Sequence, residues 1–202
     1  MRFAVRMTPP LSPRFDKALA YAARVHRTQK RKGPEIPYVS HLLAVAAIVL
    51  ENGGDEDEAI AALLHDAAED QGGLPRLADI RAQFGERVAD VVEACSDSLE
   101  EDPEKKKPWK MRKERYQRHL RESRDASAYL VSAADKLHNA RATLEDLVTH
   151  GPTVWNRFSV GRSETLWNYE ELLGVYSAGP RDPRRAPIVR RLKAVVEQLR
   201  SH

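Results

Sequence analysis

The chain has 202 residues, 42% hydrophobic and 31% charged, the length and balance of one globular domain. Its 33 basic and 30 acidic residues leave a net charge of +3, too little to argue for nucleic acid as a partner. A lone cysteine, Cys95, excludes an intramolecular disulfide framework, and with no membrane-length apolar run and no secretory leader the expectation is a cytoplasmic protein without a membrane partner.

Residues 1–11 end in Pro9-Pro10 and Leu11 and read as a flexible N-terminal arm. Ser12-Pro13 offers an N-cap followed by proline at the first helical position. The helix that follows carries Phe15, Leu19, Ala22 and Val25 on one stripe, with His26 near its end. Lys30-Arg31-Lys32-Gly33-Pro34 stops it and places three cations in a loop. Pro37-Tyr38 leads into a second helix over 41–52, ended by Gly53-Gly54. Asp55, with Glu58 in capping-box spacing, opens a third, which runs through AIAALLHDAAED (59–70) to Gly72-Gly73. Two amphipathic helices, 75–84 and 86–96, divide at Gly85.

A charged loop over 97–108 precedes a basic helix, 109–122. A long apolar-patterned helix, 125–148, has ADKLHNAR at its centre and is broken by Gly151-Pro152. A short segment, 154–158, and a helix over 162–176 follow. Residues 177–187, rich in Gly, Pro and Arg, read as a linker to a last helix over 188–199, and the arginines from Arg181 to Arg191 read as a solvated or oligomer-contacting tail. No strand pattern is present. The class is all-α, divided into the arm 1–11, a folded domain 12–176, and a basic linker with C-terminal helix 177–202.

The stretch 59–70 is the anomaly. It is apolar on all sides up to Leu64, as a helix buried in a bundle would be, yet ends in His65, Asp66, Glu69 and Asp70. Carboxylates at a helix C-terminus oppose its dipole, and burying them unpaired is costly. A divalent cation is the simplest compensation. Glu69 follows His65, and Asp70 follows Asp66, by one helical turn. His41 from the preceding helix, His65, Asp66, and Asp135 from the long apolar helix would complete a mixed N/O site suited to manganese, iron or another divalent ion. Water on such an ion becomes a nucleophile, and Glu69 and Asp70 are placed to accept its proton.

The order His41, His65-Asp66, Asp135 resembles the H…HD…D pattern of HD-domain phosphohydrolases. HDAAED and ADKLHN resemble the HDxxED and ADRLHN motifs of the RelA/SpoT-type (p)ppGpp hydrolases, and HRTQKRKGPEIPYVSH resembles their HxxQxRKxGxPYxxHP segment. The resemblance implies an HD-domain bundle of about eight to ten helices, with manganese on His41, His65, Asp66 and Asp135. It implies that Glu69 and Asp70 position and activate the attacking water. Arg31 and Lys32 would lie beside the nucleotide, and Asn139 would border the nucleoside pocket. The implied activity is that of a stand-alone small alarmone hydrolase of the stringent response, releasing pyrophosphate from the 3′ end of (p)ppGpp. Other readings on the same scaffold are hydrolysis of (p)ppApp, NADPH or a nucleoside phosphate, and a non-catalytic nucleotide sensor.

The match departs from the family in a loop one residue longer before Tyr38, in Leu42 where proline is frequent, and in Ala142 where a threonine is frequent. Base preference is therefore open. The basic run from Lys105 to Arg118 is either a solvated face or, through Arg112 and Lys113 near Trp109, the place where a substrate pyrophosphate is met, since arginine forks match phosphate oxygens. His26 and His138 read as supporting or structural, and Cys95 as a small buried residue.

Overall fold

A computed structural model describes residues 10–33, 35–102 and 104–202; the expected N-terminal arm, up to residue 9, lies outside them. Ten α-helices and one 3-10 stretch are present among the described residues: α1 (Pro13–Val25), α2 (Val39–Glu51), α3 (Glu56–Leu64), α4 (Ala67–Asp70), α5 (Gly73–Phe84), α6 (Glu86–Cys95), α7 (Trp109–Ser123), α8 (Ala126–His150), the 3-10 stretch Gly151–Arg157, α9 (Gly161–Ala178) and α10 (Arg185–Ser201). The only pairing of strand type among these residues is an isolated bridge between Lys30 and Pro37. The expected all-helical class is what the molecule has.

The middle of the bundle is α3, against which α1, α2, α6 and α8 pack. All its residues from Glu58 to Leu64 are buried, as a stretch with no wet face requires. Its start is built as the spacing predicts: the Asp55 carboxylate accepts from the Glu58 N–H at 3.0 Å, and Glu58 accepts from the Asp55 N–H at 2.8 Å. Glu58 is fully buried, so a cap alone cannot stabilise its charge. Ser127 Oγ donates to it at 2.9 Å and Arg184 Nη1 at 2.6 Å. Ser12 likewise caps α1, with Pro13 at its first position.

Two expectations are corrected. The helix expected through 59–70 is not continuous: it stops at Leu64, turns through His65 and Asp66, and resumes as the single turn α4. Asp66 has φ −95° and ψ −4°, off the helical ψ. The turn lets both side chains face inward while Ala67 and Ala68 stay buried. The linker expected over 177–187 shortens to 179–184, because α9 runs to Ala178 and α10 begins at Arg185. Arg184 and Arg185 are not solvated: the first binds buried Glu58, and the second is buried with its guanidinium 4.8 Å from the centre of the Tyr129 ring. α10 packs on α8 and α9 through Ile188, Leu192, Val196 and Leu199.

Candidate metal centre and substrate cavity

The α3–α4 turn, the start of α2 and the middle of α8 meet at one point. His41 Nε2 and His65 Nε2 lie 3.3 Å apart. Asp66 Oδ2 is 2.9 Å from His65 Nε2 and 3.5 Å from His41 Nε2, and Asp135 Oδ1 is 3.2 Å from His41 Nε2 and 3.7 Å from His65 Nε2. His41, His65 and Asp66 offer ligand atoms all within 4.8 Å of one another.

The surroundings fix the state of these donors. His65 Nδ1 donates to the Ala62 carbonyl at 2.8 Å, which turns the Nε2 lone pair of a neutral ring toward the centre. His41 Nδ1 is 2.8 Å from His138 Nδ1. Burial and the neighbouring His41 push the His138 imidazole down to about 4, so His138 is neutral and its Nδ1 lone pair can accept from His41. The His41 Nε2 lone pair then also faces inward. Two lone pairs and two carboxylates converging in a buried space repel unless a cation or protons stand between them. The carboxylates themselves favour a proton on the imidazole. Burial alone would depress the His65 imidazole, but Asp66 and Asp135 hold it well above its usual value. The donor set fits a divalent ion of borderline or hard character, with oxygen and nitrogen and no thiolate.

Further residues brace the carboxylates. Tyr38 Oη donates to Asp66 Oδ2 at 2.6 Å. Lys136 Nζ binds Asp135 Oδ2 at 2.5 Å, leaving Oδ1 toward the imidazoles, and Asn139 Nδ2 donates to Oδ1 at 2.5 Å. Glu69 and Asp70 sit next to this group. The Asp97 N–H donates to Glu69 Oε2 at 2.7 Å, and burial with the nearby Asp97 charge pushes Glu69 up to about 8. Gln29 Nε2 donates to Asp70 Oδ2 at 2.7 Å; burial and Asp66 raise Asp70 as well. Both carboxyls are thus moved toward neutrality, the range in which a proton acceptor works best.

The group opens on a cavity of about 510 Å³ lined by Arg31, Lys32, Asp66, Glu69, Asp70, Lys113 and Asn139 among others. Arg31 Nη1 donates to Asn139 Oδ1 at 3.0 Å. Arg112 and Lys113 both bind the Asp97 carboxylate at 2.6 Å, which holds Asp97 down to about 2 despite its burial. Lys113 lines the cavity whereas Arg112 does not; Arg112 turns away to the Lys107 carbonyl. Within the basic run, Arg112 and Lys113 are thus paired with a buried carboxylate, while Lys105, Lys107, Lys110, Arg115 and Arg118 are exposed. Tyr38, Gln29, Asp97 and Lys136 are the supporting residues that motif reading missed. The one available signal was Lys136, a cation beside Asp135 in an otherwise apolar helix.

The HD domain family profile matches residues 18–163, a span that contains all four converging side chains. The chain is a member of the HD domain family. This HD domain is 38% identical over 143 residues to the guanosine-3′,5′-bis(diphosphate) 3′-pyrophosphohydrolase MESH1 of Xenopus tropicalis, covering 69% of this chain and 73% of that one. It is 36% identical over 151 residues to MESH1 of Drosophila melanogaster, covering 72% and 76%. Its fold superposes with a TM-score of 0.73 and 30% identity on the structure of a metazoan ortholog of SpoT described as hydrolysing ppGpp, over 95% of this chain and 98% of that one. No helix among the described residues is long and apolar enough to cross a membrane.

Proposed function

We propose that this HD domain is a manganese-dependent hydrolase that removes the 3′-pyrophosphate from guanosine 3′,5′-polyphosphates, (p)ppGpp, giving GDP or GTP and pyrophosphate. The observation that carries the reading is the convergence of His41, His65, Asp66 and Asp135 beside two carboxyls of raised pKa, at the end of a cavity edged by cations. The relation to MESH1 supports the substrate. His41, His65, Asp66 and Asp135 would hold the ion. When bound, it supplies a Lewis acid that lowers the pKa of water and polarises a phosphoryl oxygen.

The chain's own groups do the rest. Asp70, held through Oδ2 by Gln29, keeps Oδ1 to take the proton of the attacking water, and Glu69 is the second stop of that proton. The new P–O bond forms at the phosphorus next to the ribose 3′-oxygen. The bond from that phosphorus to O3′ breaks, and a proton ends on O3′, so one water is consumed for each pyrophosphate released. Arg31 and Lys32 offset phosphate charge at the loop end. Lys113 shares Asp97 with Arg112, so it can turn to a phosphate while Asp97 keeps a cation.

The test is pyrophosphate release from ppGpp by the purified, manganese-loaded protein. Equal amounts of GDP and pyrophosphate are expected. Turnover of NADPH or a (p)ppApp nucleotide with none of ppGpp would overturn the substrate but keep the hydrolase; tight binding of ppGpp without cleavage would make the chain a sensor. His65→Ala is expected to lose the bound metal by elemental analysis.

A further inference from the structure

The cavity has a second polar end that the reaction does not use. Along α8, Asp135, Asn139, Ala142 and Asp146 follow one another at intervals of four, three and four residues, so they share a face. Asn139, Ala142 and Asp146 all line the cavity. From Asp135 to Asp146 is about 16 Å of helix. At the far end Arg157 Nη1 donates to Asp146 Oδ2 at 2.8 Å. Arg157 reaches this position by lying across Gly33. A Cβ at residue 33 would come within 2.6 Å of its Cδ and push the guanidinium aside, and the backbone there has φ +96°, a conformation that favours glycine. The pair is therefore docked against the same loop that carries Arg31 and Lys32. Among the described residues Asp146 Oδ1 and Arg157 Nη2 make no further hydrogen bond. Both side chains are only partly exposed.

We infer that Asp146 and Arg157 read the base of the nucleotide and select guanine over adenine. This deepens the function proposed above and rests on it. An ionised carboxylate only accepts hydrogen bonds and a guanidinium only donates them. Guanine matches that pair: its N1–H and N2–H donate to Asp146, and its O6 and N7 accept from Arg157, the same edge that arginine recognises in nucleic acids. Adenine does not match. Its N1 is an acceptor that would face the carboxylate, and its N6 amino group is a donor that would face the guanidinium, so the pair rejects adenine as well as attracting guanine. Ala142, small and one turn before Asp146, leaves room for the ring. The α8 face then carries the reacting phosphate at the Asp135 end and the base at the Asp146 end, with Asn139 between them beside the sugar.

The test is the affinity of the full chain, in manganese, for GDP, ADP and XDP, read by calorimetry without any need for turnover. The wild type is expected to bind GDP about tenfold or more tighter than ADP. Asp146→Asn is nearly isosteric; it should lose that preference and gain affinity for XDP, whose C2 carbonyl can accept from the new amide. A structural role for Asp146 would lower all three affinities alike and produce no gain. Equal binding of GDP and ADP by the wild type, no binding of any of the three, or an Asp146→Asn protein that still prefers GDP to XDP, overturns the inference. Failure to cleave ppGpp would sink the proposed reaction and leave this comparison readable. Cleavage of ppGpp with no switch in base preference would sink the base-reading pair alone.

Discussion

Glu69 and Asp70 are neighbours in sequence but are held by different partners, a backbone N–H from the 97–108 loop and the amide of Gln29. Asp70 lies beside Asp66, whose charge helps raise it, and in the proposed reaction it is the first proton acceptor. Asp70→Asn keeps the shape and can still accept from Gln29 but cannot take up a proton. Turnover of ppGpp is expected to fall by about 10²–10⁴, with bound manganese unchanged by elemental analysis. Near-normal turnover would place the proton elsewhere, and loss of the metal would make Asp70 a ligand. At this scale the sequence is legible where a charge stands in apolar company. His65, Asp66 and Asp135 interrupt stretches that otherwise read as core, and such an interruption has to be explained by a cation. Asp97, Gln29 and Tyr38 sit in polar surroundings where a supporting role leaves no local mark. Asp97 is 4% exposed, with Arg112 and Lys113 of α7 bound to its carboxylate, a contact that no pattern within the 97–108 loop discloses.

Among the elements, the start of α3 is tied to the far end of the chain. Glu58 belongs to a capping box that is readable from its spacing, but its burial depends on Arg184, 126 positions later. A buried carboxylate stripped of its cation is among the most destabilising changes available. Arg184→Met is expected to cost about 3 kcal/mol, a loss of roughly 6–12 °C in Tm for a domain of this size. Adding Glu58→Gln should recover part of it, because a neutral amide needs no cation; thermal unfolding of the single and double variants decides this. An Arg184→Met protein as stable as the wild type would show that Ser127, with Arg87 Nη2 at 3.7 Å from Glu58 Oε1, suffices. Helix periods, caps and glycine stops give most element bounds to within a few residues. The break at His65-Asp66 does not follow from them, because AIAALLHDAAED contains neither glycine nor proline. It is imposed by what the side chains meet: Tyr38 and His41 at the start of α2, and Asp135 of α8, draw His65 and Asp66 inward. α10 shows the same limit. Its apolar stripe is visible, but its seat on α8 is a long-range fact.

For the whole molecule, the donor group makes stability depend on pH and metal together. Without metal the folded chain holds protons that the unfolded chain would release. Glu69 moves from an ordinary 4.5 up to about 8, chiefly through burial and Asp97, and Asp70 moves in the same direction. Burial works against protonation of His65, but Asp66 and Asp135 raise it well above 6.5. In each case the native state binds more protons than the unfolded state between the two pKa values, so stability falls as pH rises through that window. Glu69 acts from 4.5 to about 8, and His65 acts from 6.5 upward. Asp97 has the opposite sign, since its pKa is lowered from 3.8 to about 2, and its contribution is lost only as pH falls through that acid range. In the proposed enzyme a divalent ion would take the place of the protons, and its binding would release them, so its affinity is expected to grow with pH. The metal-free protein is therefore expected to lose Tm steadily between pH 6.5 and 8, while the rise in Tm on adding saturating manganese grows over the same interval. Glu69→Gln should lessen the metal-free slope, because the amide has no proton to lose, and leave the part due to His65. Thermal scans of the chelator-treated and manganese-loaded protein across this range test it. A metal-free Tm that stays flat, or a manganese gain that shrinks toward pH 8, would mean that protons and metal do not compete for the centre formed by His41, His65, Asp66 and Asp135.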